Sequence, residues 1–180
     1  NAWLQLGPAS SLALRYSAAM QRISATHELP CSPERFWEIY HSEELREAQT
    51  KVQRLREYTL VKSDDHDDRT VHVYRIHPDR DMPSAVRRVI PSATAAFIEE
   101  RIFYKKDRYI QWNVTPLALP DRAQCTGTLK VTATATGCRR IIDGSIKISV
   151  FGVGGLIERA VGKNVQDGFD CSADLFRKLA

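Results

Sequence analysis

The sequence predicts an α+β domain in which an antiparallel sheet wraps a long C-terminal helix. Three observations carry this: a strand and two short helices open residues 22–49, period-two segments joined by turns occupy most of 55–148, and the apolar period then becomes helical for about 25 residues. A length of 180 residues suits one domain with one sizeable core. With 43% apolar and 27% charged residues the chain is globular in composition. The 26 Lys and Arg against 22 Asp and Glu give a net charge of only +4, too thinly spread for a nucleic-acid footprint. No apolar run reaches the ~18 residues of a membrane span, so a cytoplasmic protein is expected.

Residues 1–19 hold no acid, and Gly7, Pro8, Ser10 and Ser11 break their leucines, so they lack a signal-peptide core. They read as an appended remnant or N-terminal arm, with the domain running over 20–180 from Met20. Ile23, Ala25, His27 and Leu29 alternate with polar residues as the inner face of a first strand that ends at Pro30. Ser32, Pro33 and Glu34 then start a helix bearing Phe36, Trp37, Ile39 and Tyr40. A second short helix is placed at 42–49. Strands are expected at 55–61 and 70–77, with the charged stretch 62–69 as their loop. A loop that long leaves their register and inward faces open.

Met82, Ala85, Val86, Val89 and Ile90 recur at helical spacing, with Pro83 leading and Pro91 terminating, which predicts a two-turn amphipathic helix over 81–91 with Arg87 and Arg88 on its polar side. Two hairpins follow. A turn at Lys106 and Asp107 pairs Phe103 with Ile110, Arg101 with Trp112 and Glu99 with Val114, and puts Phe97 on the same inward face. A two-residue turn at Thr136 and Gly137 would pair Val131 with Ile142, Leu129 with Gly144, Gly127 with Ile146 and Cys125 with Ile148, all inward, and set Lys130 against Asp143 outside. After Gly152, Gly154 and Gly155 the last helix presents Leu156, Ile157, Val161, Val165, Phe169, Leu175 and Phe176 on one face, with Glu158 assigned to the other. Its inner row Ala160, Asn164, Gly168 and Ser172 is small and partly polar, which predicts a space beneath the sheet.

The stretch His27-Glu28-Leu29-Pro30-Cys31-Ser32-Pro33-Glu34-Arg35-Phe36-Trp37, residues 112–116, the alternating Ile142, Gly144, Ile146 and Ile148, and the glycine-rich approach to Leu156, Ile157 and Glu158 resemble the START-like (SRPBCC) superfamily, in particular a bacterial START-like family of unknown function. The resemblance covers nearly all of 20–180. It implies the helix-grip fold and an internal pocket, while ligands differ widely across such a superfamily.

The function expected is binding, and transport in addition, of a lipid, sterol or other hydrophobic molecule, without cofactor or metal. Its body would lie against Phe97, Phe103, Trp112, Leu129, Ile142, Ile146, Val165 and Gly168, with Tyr74, His27 and Asn164 at the wall. Arg101 would orient its polar end and Glu99 would hold Arg101, although an internal ion pair serving the core alone explains the two charges equally well. Met82, Val86, Arg87, Arg88, Val89 and Ile90 form the expected entrance and transient membrane contact. One rival is an enzyme of the polyketide cyclase or hydrolase type using His27, Glu99 or Tyr74 as acid or base; another is an interaction module with a filled core. No phosphate-loop signature accompanies the glycines, and Asp64, Asp65, His66, Asp67 and Asp68 lack the spacing of a calcium loop. Cys31, Cys125, Cys138 and Cys171 show no Cys-x-x-Cys pair and read as free thiols.

Overall fold

Chain order is β1 (Gln21–Leu29), α1 (Pro33–Tyr40), α2 (Glu43–Val52), β2 (Leu55–Asp65), β3 (Arg69–Pro78), α3 (Ser84–Arg87), β4 (Phe97–Tyr104), β5 (Tyr109–Pro116), β6 (Ala123–Thr134), β7 (Gly137–Ile148) and α4 (Gly154–Leu179). The computed structural model describes residues 20–79, 84–88, 90, 91, 94–150 and 154–180, without the side chains of Ala85 and Val86. The expectations for residues 1–19, Met82, Val89 and Gly152 therefore lie outside the described residues.

The two short helices start where serine hydroxyls meet orphan backbone amides: Ser32 Oγ accepts from Arg35 N at 3.2 Å and Ser42 Oγ from Leu45 N at 3.1 Å. Pro33 occupies the first turn of α1, where its missing N–H costs nothing. All seven strands form one curved antiparallel sheet in the order β1-β7-β6-β5-β4-β3-β2. Helix α4 packs along the concave side against β1 and β7. This is the helix-grip arrangement.

The β4–β5 register is the expected one, with Phe103 opposite Ile110, Arg101 opposite Trp112 and Glu99 opposite Val114. The β6–β7 register differs by two residues: Leu129 faces Ile142, Gly127 faces Gly144 and Cys125 faces Ile146. Because the shift is even, every inner residue keeps its face. The turn lies at Ala135 and Thr136, and Gly137 stands in the strand opposite Thr134, where a Cβ would fall 2.1 Å from Leu29 O at the end of β1. Its glycine therefore serves a close approach between strands. Lys130 faces Ile141, and Asp143 bonds Arg22 on β1.

Strands β2 and β3 run farther than expected, so only residues 66–68 remain of the loop placed at 62–69. Register shifts between Leu55 and Glu57 and between Leu60 and Lys62 bend β2, which alternation alone could not resolve. Of the two-turn helix expected over 81–91, the described part is the single turn α3. Glu158 corrects the reading of α4: it is 5% exposed, and its Oε1 accepts from Ile148 N at 2.6 Å, tying the first turns of the helix to the end of β7.

Helices α1 and α4 meet the sheet in an aromatic core. Phe36 and Phe176 are fully buried and stacked with centroids 4.4 Å apart, with Trp37, Ile110 and Cys138 also buried in this core. The four cysteines are free.

Candidate functional site

Beside that aromatic core, sheet and α4 line a cavity of about 400 Å³. The sheet wall is Tyr74 and Ile76 of β3, Phe97 of β4, Trp112 and Val114 of β5, Cys125 and Leu129 of β6, and Ile142, Ile146 and Ile148 of β7. Helix α4 supplies Val161, Asn164, Val165, Gly168, Phe169 and Ser172, while α2 closes a third side with Leu45, Arg46 and Gln49. Ile90, following α3, also reaches the wall.

The wall is shaped at Trp112. A Cβ on Gly127 would stand 2.2 Å from Trp112 Cζ2, and one on Gly144 2.7 Å from the same indole. The two glycines face each other across β6 and β7, and the ring occupies the space that their side chains would need.

Polar groups gather at two places. At the first, Arg101 donates from Nε to Glu99 Oε1 at 3.0 Å and from Nη2 to Glu99 Oε2 at 2.8 Å, a two-pronged pair with both side chains only 16% exposed. Three tyrosines surround the guanidinium: its carbon lies 4.7 Å from the Tyr74 ring centroid and 5.7 Å from those of Tyr40 and Tyr58. Burial pushes the Tyr40 hydroxyl up to about 12 and the Tyr58 and Tyr74 hydroxyls upward as well, against the opposing pull of Arg101. The three remain protonated donors at neutral pH. At the second place, Arg140 of β7 is 2% exposed and bonded to Ser172, Phe169 and His27.

Of the residues expected around a ligand, Phe97, Glu99, Arg101, Trp112, Leu129, Ile142, Ile146, Asn164, Val165, Gly168 and Tyr74 line this cavity. Phe103 and His27 do not. Phe103 belongs to the aromatic core, its ring 4.9 Å from Trp37 and 5.0 Å from His41. His27 lies between Asp170, 2.8 Å from its Nε2, and Arg140, 3.1 Å from its Nδ1, off the cavity wall. Of the expected entrance, Ile90 is buried and Arg87 and Arg88 are exposed, while Met82, Val89 and the Val86 side chain are outside the described residues. Tyr40, Tyr58 and Arg140 were not anticipated. Arg140 had a legible signal, since the alternation of Ile146, Gly144 and Ile142 continues inward to residue 140. Tyr58 had none, because the inner face of β2 depends on its bulges.

The chain belongs to the protein family of unknown function DUF2505, which matches residues 24–179. A search of curated proteins finds no match. Among solved structures the chain is similar to the aromatase/cyclase Zhui of Streptomyces sp. R1128, at 11% identity and TM-score 0.63 over 88% of this chain and 94% of that one. It is also similar to a START superfamily protein of Mycobacterium smegmatis, at 12% identity and TM-score 0.58 over 88% and 99%. The norcoclaurine synthase of Thalictrum flavum, in complex with dopamine and hydroxybenzaldehyde, aligns at 12% identity and TM-score 0.59 over 98% of both chains. The fold is thus that of the START-like superfamily.

Proposed function

From a family on this fold and the cavity it encloses here, we propose that the protein binds a hydrophobic small molecule, a lipid or sterol being the class of choice, between its sheet and α4, and releases it to a membrane or partner. The cavity itself carries the reading. Its volume of about 400 Å³ lies within the roughly 300–1,000 Å³ of small-molecule sites, and its wall is mostly aliphatic and aromatic with a few convergent polar groups.

In this reading the apolar body lies along Trp112, Leu129, Ile146 and Val165. The tyrosine hydroxyls and the Glu99–Arg101 pair meet hydroxyl or carbonyl groups, since Glu99 already balances the charge of Arg101. The segment with Ile90 against the cavity and Arg87 and Arg88 in solvent serves as the entrance and meets anionic headgroups.

Native mass spectrometry of freshly purified protein, followed by organic extraction, tests the reading. A bound apolar species released on extraction is expected; protein that is ligand-free as purified and that takes up no lipid or sterol from a mixed panel would refute it.

A further inference from the structure

Three arginines line the cavity, and two of them hold a carboxylate, Arg46 that of Glu43 and Arg101 that of Glu99. Arg101 is balanced by Glu99. Arg140 is not: Nη1 donates to Ser172 Oγ at 3.1 Å, and Nη2 donates to Phe169 O at 2.7 Å and His27 Nδ1 at 3.1 Å. These acceptors are neutral and occupy three of the five N–H groups of an arginine. Its Nε is buried without a partner among the described residues.

The acid in this network touches Arg140 only through another residue. Asp170 lies 2.8 Å from His27 Nε2, and its own side chain is 59% exposed. Since a guanidinium can only donate, His27 Nδ1 must accept, so the imidazole proton sits on Nε2 and is donated to Asp170. His27 is therefore neutral in this arrangement and positions Arg140 without cancelling its charge. Burial draws the Arg140 guanidinium down to about 10, which leaves it cationic at neutral pH. A cation 2% exposed with an idle donor and no carboxylate beside it is an expensive thing to keep in a core. A bound anion would repay that cost.

We propose that Arg140 anchors the head of the cavity's ligand, which is a carboxylate on an apolar body, as in a fatty acid. One positive charge without a carboxylate beside it matches one carboxylate, an oxygen of which would accept from a donor that the protein leaves idle. The apolar body then runs from β7 along Ile142 and Ile146. The assignment rests on the cavity being a hydrophobic-ligand site and adds the charge of the ligand to it.

Displacement of the neutral dye Nile red by dodecanoate and by dodecanol, at neutral pH, separates the two ideas. Dodecanoate should bind about ten- to a hundredfold more tightly than dodecanol, the scale of a hydrogen-bonded charge, and Arg140→Gln should bring that ratio close to one. Equal affinities in the unaltered protein, or a ratio that survives Arg140→Gln, would overturn the anchor while leaving the hydrophobic-ligand reading intact. Failure of dye, acid and alcohol alike to bind would overturn both. Should Arg140→Gln not fold, carboxyl-13C dodecanoate on the unaltered protein decides by NMR titration. Contact with Arg140 lowers the bound carboxyl pKa below that of the free acid, whereas a carboxyl left in an apolar cavity shifts upward and contradicts the assignment.

Discussion

The indole of Trp112 fills the space above two facing glycines, which makes those glycines a test of how the wall is built. Gly127→Ala would place its Cβ 2.2 Å from the ring and 2.3 Å from Asp143 O, so neither ring nor strand can yield alone. A loss of about 1–3 kcal/mol is expected, read as a fall in melting midpoint of about 2–4 °C per kcal/mol. Gly155→Ala, with nothing within 4 Å of its Cβ, should leave the midpoint unchanged or raised. Equal effects of the two would refute the packing account. His27 supplies a second test at this scale. Burial lowers its pKa, with Arg140 and Arg177 acting the same way and Asp170 opposing them. A depressed folded pKa gives stability that is present above the unfolded value of about 6.5 and lost as pH falls through the folded one. Protonation would also put an Nδ1–H against Arg140 Nη2. The melting midpoint should therefore drop between pH 7 and 5.5, and His27→Gln should make the slope shallower, with His41, drawn by burial down to about 4, and His72, lowered by burial beside Arg101, supplying the remainder. An unchanged slope in the variant would show that His27 is not among the titrating groups.

The elements show which sequence signals are sufficient and which are not. The β4–β5 register was legible because the charged turn at Lys106 and Asp107 and the inward set of Phe97, Trp112 and Val114 agree on one pairing. The β6–β7 register was displaced because Gly137 reads locally as a turn glycine, whereas its requirement comes from Leu29 O, in sequence 108 positions away. Glu158 was misplaced for the same kind of reason: a glutamate on a helix reads as solvated until the free amide of Ile148 is brought to it. The entrance segment can be tested as an element. On the proposed entrance role, Arg87 and Arg88 would contribute roughly 1 kcal/mol each of attraction to an anionic surface, enough for encounter and too little for attachment. Arg87→Glu with Arg88→Glu should slow ligand transfer between anionic vesicles while affinity for detergent-solubilised ligand stays nearly constant. Transfer at the unaltered rate would make the segment a fixed cap.

Across the whole molecule the same fold divides its labour. The cluster of Phe36, Phe176, Trp37 and Phe103 is packed, and the cavity opens beside it. The small row of α4 announced that opening in the sequence, because Asn164, Gly168 and Ser172 stand where large apolar groups would otherwise seal the helix to the sheet. Its chemical character was less legible. The tyrosines around Arg101 come from α1, β2 and β3, and Arg140 meets His27 from across the β1–β7 pairing, so both arrangements exist only after the sheet has closed. No described helix is long and apolar enough to cross a membrane. The measurement that bears most directly on the account is a titration of a fluorescent fatty acid into the protein and into Gly168→Phe, where the new ring enters the cavity beside Gln53. Saturable one-to-one binding that Gly168→Phe abolishes, with the circular dichroism and cooperative unfolding of both proteins alike, is the expected result. Equal binding by a folded Gly168→Phe would contradict it.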